Sequence, residues 1–206
     1  MQHFKIYVVL ILTLLLNGWK SQAQGAIRVS LGGSGFSEEL RTYFEFEDIN
    51  YNTLFFTGDG IKNKQYRVVL KEFRSGVPQA PRMLFDGSES EYFRVSTDTL
   101  AFKLLSKISD DELKLWIRGE GFGSKKTVVS IDNTKGDLAF QSYTNADKVL
   151  SSDSDSICLF SFITPKRNED GSGSWCDVTG SGVDPEKIFQ EFDIPHYFLI
   201  EILFTE

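Results

Sequence analysis

Apolar and polar residues alternate with a period of two through much of this chain. In residues 100–108 the apolar positions Leu100, Phe102, Leu104 and Ile108 are separated by mostly polar neighbours, and in 112–118 Leu113, Leu115 and Ile117 continue the pattern. Successive side chains of a strand point to opposite faces, so this alternation marks strands with one face buried. Between them, Ser109-Asp-Asp-Glu112 also fits a helix capping box. The period of two argues against the helix, and strands are expected on both sides. Further strands are expected at 27–31, 92–96, 127–131, 138–143 and 157–164. Residues 197–204 are nearly all apolar, as in a strand buried on both faces. The runs 54–56 and 65–73 flank Thr57-Gly-Asp-Gly60 and read as a hairpin. One helix is well signalled: Asp184 caps it, Pro185 suits its first turn, and Ile188, Phe189 and Phe192 line one side. Residues 37–43 form a second candidate helix.

Many short strands, 17 glycines and turn signals about every eight to twelve residues define the expected fold. It is an all-β, mainly antiparallel β-sandwich, of jelly-roll-like type at its most specific, with one or two short helices. The one low-complexity run, Ser151-Ser-Asp-Ser-Asp-Ser156, is short enough to be a surface loop, so residues 24–206 are read as a single domain.

Residues 1–23 change the picture from a fold to an address. A positive start at Lys5, an apolar run over 6–16 broken only by Thr13, and Ser21-Gln-Ala23 give the three parts of a signal peptide. The run is too short to span a bilayer, which needs about 20 apolar residues. The expectation is a secreted or periplasmic protein, or one at the cell surface, with no membrane span in the mature chain. The absence of any Asn-x-Ser/Thr sequon after the leader favours a bacterial envelope. Net charge is −7, and the leader takes two lysines with it. No Lys/Arg-rich tract is present, which argues against nucleic acid and anionic membranes as partners. In an oxidising compartment Cys158 and Cys176 are expected to form a disulfide, two buried thiols being the alternative.

Candidate chemistry is sparse. His196 is the one histidine after the leader; beside Pro195 at a strand end it reads as structural, and neither a nucleophile–histidine site nor a zinc site can be assembled around it. Gly119-Glu-Gly-Phe-Gly-Ser-Lys-Lys-Thr127 misses the phosphate-loop spacing, because Ser124 precedes Lys125 and Lys126 follows it; it reads as a turn. In Tyr43-Phe-Glu-Phe-Glu47 a strand would place Glu45 and Glu47 on one face about 7 Å apart, within the span of an inverting glycosidase pair. The plainer reading has Phe44 and Phe46 in the core and the glutamates in water. Asn168-Glu-Asp-Gly-Ser-Gly173 matches the first half of a calcium loop but meets Thr179 where a bidentate glutamate is needed, so no metal and no cofactor are expected.

The working surface expected from sequence is the 165–182 loop. It is glycine-rich and carries Trp175 beside Cys176, with Asn168, Asp170 and Asp177 as polar neighbours. A rigid aromatic on such a loop suits a sugar ring or a protein contact; its plainer role is to fold back over the disulfide.

The leader end Ser21-Gln-Ala-Gln24 resembles those of exported proteins of Bacteroidetes-type bacteria. The segment Gln65-Tyr-Arg-Val-Val-Leu-Lys-Glu-Phe-Arg-Ser-Gly76 is similar to strands in small uncharacterised secreted proteins of that group. Asp98-Thr-Leu100 and Asp155-Ser-Ile157 are similar to the short O-glycosylation motif those bacteria use. The resemblance implies an uncharacterised secreted family and brings no functional residue with it. The expected function is a non-catalytic binding or interaction module of the envelope, with a glycan or an envelope protein as ligand. The alternatives are a glycan-active hydrolase using paired carboxylates and a structural subunit of a surface assembly.

Overall fold

The computed structural model describes residues 26–33, 35–109, 111–131, 138–144, 149–150, 156–167, 172–175 and 178–206. The leader, Cys176, Asn168, Asp170 and Asp177 lie outside them, as does most of the 151–156 run.

In chain order the elements are β1 (Ile27–Gly32), α1 (Glu38–Phe46), β2 (Ile49–Thr57), β3 (Gln65–Arg74), β4 (Val77–Pro78), β5 (Arg82–Asp86), β6 (Thr99–Ser109), β7 (Glu112–Gly119), β8 (Phe122–Gly123) and β9 (Thr127–Ser130). They continue with β10 (Ala139–Ser142), β11 (Val149–Leu150), β12 (Ile157–Ile163), β13 (Lys166–Arg167), β14 (Gly173–Ser174), α2 (Ile188–Phe192) and β15 (His196–Thr205). The first sheet has the order β11-β1-β2-β6-β7-β8, with β9 also on β7; the second has β10-β12-β15-β3-β4, with β5 also on β3. β13 and β14 form a separate small hairpin. The described pairings are antiparallel, and the all-β sandwich-like fold expected from the alternation is the fold observed.

The alternating residues do what their period requires. Phe102 and Leu104 on β6 and Leu113, Leu115 and Ile117 on β7 are buried, and they join Val68, Leu70, Phe160, Phe162, Phe198 and Ile200 of the second sheet in one core. Aromatic rings tie the layers together: Phe56 and Tyr66 both stack with Phe102, at 5.5 and 6.0 Å between centroids. Full burial of such a side chain is worth about 1.5–3 kcal/mol. β15 is buried on both faces from His196 to Ile202, as its nearly all-apolar run implied. The second face is sealed by Val178, Ile188 and Ile194, which pack with Phe73, Ile163, Tyr197 and Leu199. Among the described residues no helix is long and apolar enough to cross a membrane.

Four local expectations need correction. The 54–56 and 65–73 runs are not a hairpin: β2 pairs with β1 and β6, while β3 pairs with β15, β4 and β5. The turn cluster carries the chain from one sheet to the other instead. Gly58 adopts φ +141°, where a Cβ would collide with the Ala26 carbonyl oxygen, and Ile61 then drops into the core. Residues 92–96 are not a strand; a 3-10 turn at Glu91–Phe93 is capped by Ser90. The helix at Asp184 begins as a 3-10 turn, Pro185–Lys187, before α2, with the Asp184 cap as expected. α1, capped by Ser37, runs three residues beyond 43 and takes Glu45 with it. Helical spacing there satisfies more backbone than an isolated edge strand could.

Candidate functional site

The helix overturns the geometry expected of Glu45 and Glu47. Glu45 lies in α1 and Glu47 is its C-cap, so a strand-like pair sharing one face is not formed. Both still border a hollow of about 740 Å³ at the end of α1, but Glu47 Oε2 accepts from Lys107 Nζ at 2.6 Å. The phenylalanines do not fill the core either: α1 has no buried residue, and Phe46 is 81% exposed.

His196 is held where the sequence put it, at the start of β15. Its Nε2 lies 3.1 Å from Glu72 Oε1, and Arg74 Nε donates to the same oxygen at 2.7 Å. Both partners of the His–Glu contact are buried, and a sealed pair gives a substrate no access. Cys158 sits on β12 with Sγ 3.8 Å from the Phe160 carbonyl oxygen; no disulfide joins two described residues, since Cys176 is not among them. Trp175 is 49% exposed, so it does not fold back as a core plug. Thr179 and Gly182, at the far end of the same loop, line a hollow of about 500 Å³ together with Tyr143, Cys158, Glu186 and Glu201.

Two of its lining residues, Glu186 and Glu201, belong to a charged cluster on the second sheet. Lys71 Nζ bridges Glu186 at 2.6 Å and Glu201 at 2.9 Å, and Glu201 is only 3% exposed. Burial pulls the Lys71 ammonium down, but the two carboxylates outweigh it and hold its pKa above the ordinary value. The ammonium thereby compensates the buried Glu201 carboxylate, while Glu186 remains half-exposed.

The outer face of the first sheet is arranged differently. Register places β2, β6 and β7 in line, with β9 joining the last row: Thr53–Lys103–Arg118 form one cross-strand row, Tyr51–Leu105–Trp116 the next, and Ile49–Lys107–Lys114–Val128 a third. Rows lie about 7 Å apart along the strands, so an aromatic–aliphatic row runs between two cationic ones. Arg118 and Lys126 each lie 5.1 Å from the Trp116 ring centroid, and Lys103 lies 5.7 Å from that of Tyr51. A groove of about 160 Å³ is bordered by Ile49, Leu105, Trp116, Lys107, Lys114 and Lys126. The glycine-rich 119–127 segment turns after β7, as expected, and carries the short β8 before it builds this corner. Trp116 Nε1 donates to the Ser124 carbonyl at 2.9 Å, and Ser124 Oγ accepts from Ile117 N. Lys103, Lys114, Arg118 and Lys126 are exposed, and among the described residues none has a carboxylate within ion-pairing distance. Only Lys107 of this set is neutralised, by Glu47. On a chain of net charge −7 that is a concentration of the minority sign.

Sequence reasoning missed this face because its cations are spread over three segments. The available signal was the polar member of each alternating pair on β6 and β7, together with the lysines after the glycine turn. Comparison with protein-family models, with curated proteins and with solved structures finds no match for the chain.

Proposed function

We propose that the protein is a non-catalytic binding module of the bacterial envelope, exported by its leader, and that it meets its ligand with the outer face of the first sheet. The observation that carries this reading is the set of four exposed, unneutralised cations around Tyr51, Leu105 and Trp116. Charges of one sign gathered on an otherwise acidic molecule steer an oppositely charged partner and fix its orientation. Trp175, half-exposed on the 165–182 loop, supports a second contact there, and a Cys158–Cys176 bridge would tether it.

Site-specific photo-cross-linking in envelope extract tests the reading. A cross-linker replacing Val128, exposed on this face, is expected to give a discrete product that Lys114→Glu with Lys126→Glu suppresses. A cross-linker replacing Val77, exposed on β4 of the other sheet, is expected to give none. No product at Val128, or equal products at both positions, overturns the proposal.

A further inference from the structure

We infer that the partner of this face is an acidic protein segment that carries an apolar residue between its carboxylates. The inference rests on the proposed binding role and names its ligand. The groove between the lysines is small, about 160 Å³, well below the size of sites that enclose a whole small molecule. It suits one apolar side chain. Its floor is Ile49, Leu105 and Trp116, and its rim is Lys107, Lys114 and Lys126.

Hydrogen-bonding capacity separates the possible anions. Ammonium and guanidinium groups donate and cannot accept. A sugar brings hydroxyl donors as well as acceptors, and the one side-chain oxygen among the residues lining the groove, Ser106 Oγ, is buried out of reach. Carboxylates need donors only. Stacking separates them further. A pyranose or a nucleobase needs an open ring face, but the Trp116 ring already holds Arg118 and Lys126, and the Tyr51 ring contacts Phe36, Phe44 and Lys103. The face also sits centrally: β6 is hydrogen-bonded on both sides, to β2 and β7. At the middle of the face β6 has no free backbone edge for strand addition, so recognition there is through side chains. A peptide that alternates carboxylates with an apolar anchor matches the alternation of cationic and apolar rows.

The test is a binding titration of the purified protein, by fluorescence anisotropy, with three labelled probes. They are a short glutamate peptide with leucine at every third position, an alginate oligomer and single-stranded oligothymidine. An all-glutamate peptide of equal length measures the part played by the apolar anchor. The glutamate–leucine peptide is expected to bind best, at least about tenfold better than the all-glutamate peptide. Binding is expected to weaken with added salt, and to fall about tenfold or more in Lys114→Glu/Lys126→Glu. Circular dichroism confirms that the exposed reversals leave the fold intact. Preferential binding of alginate or oligothymidine, lost in the same variant, overturns the peptide assignment and leaves the binding face standing. Peptide binding indifferent to the reversals overturns it too, as does failure of every probe; cross-linking at Val128 then decides whether the face binds at all.

Discussion

The two sheets of this sandwich bury the same kind of inner face and treat their outer faces in opposite ways. Behind the second sheet, Phe73, Ile163, Tyr197 and Leu199 are covered by Val178, Ile188 and Ile194. The buried carboxylate of Glu201 on that face is met by Lys71. Behind the first sheet nothing among the described residues covers β6 and β7, whose outer positions over Lys103–Lys107 and Lys114–Arg118 are lysine, arginine, leucine and tryptophan. On the covered face charge is matched because an unmatched charge away from water is costly. On the open face water supports the unmatched cations, and they are left available to a partner. The second sheet buries its outer face in packing, whereas the outer face of the first is the proposed recognition surface.

Truncation should separate the faces most sharply. Leu199→Ala, on the covered face, is expected to cost about 2–5 kcal/mol in urea unfolding, whereas Lys114→Ala on the open face should stay within about 0.5 kcal/mol. Lys71→Met is next, with an expected loss of about 3 kcal/mol because Glu201 would remain buried without its cation. A loss equal to that of Lys114→Ala would show that the covered face is not sealed.

Alkaline titration probes the same layer with a smaller effect. Burial pushes the Tyr197 hydroxyl up to about 12 from its ordinary 10.0. The unfolded chain then releases its proton at lower pH than the native one, so it binds fewer protons above about pH 10 and stability falls as pH rises. Its share is fully present below pH 10 and is lost as pH climbs through about 12. Tyr197→Phe removes that share, together with the hydrogen bond to the Glu186 carbonyl at 2.8 Å. Stability below pH 10 should fall by about 1 kcal/mol. The variant's stability profile should also be flatter between pH 10 and 12, and an unchanged slope would place the alkaline sensitivity elsewhere. Smallest of all, Ser161→Ala should be neutral or slightly stabilising, since the buried Ser161 Oγ makes no hydrogen bond.

Residues whose environment is set by their own strand were readable in the sequence. Leu113, Leu115 and Ile117 declared their burial by alternation, and the 197–204 run declared both of its faces, because these properties depend only on the pleat. Residues whose role depends on pairing were not readable. Gly58 looked like a hairpin turn because the local signal for a turn does not say which sheet the chain enters next. Glu45 and Glu47 looked like strand-mates because Phe44 and Phe46 alternate with them, while the Ser37 cap upstream and the length of α1 decided otherwise. The cationic face was hidden for the same reason: Lys103, Lys114 and Lys126 become neighbours only once β6, β7 and β9 are in register. Trp175 was visible in the sequence as an aromatic on a glycine-rich loop, and it is half-exposed.

Lysine footprinting tests the central claim most directly. The protein would be acetylated with and without envelope extract, and the modification of each lysine quantified by mass spectrometry. The account predicts protection of Lys103, Lys114 and Lys126, with Lys187, 64% exposed beside α2, modified equally in both samples. Protection at Lys187 with none on the first sheet would contradict it.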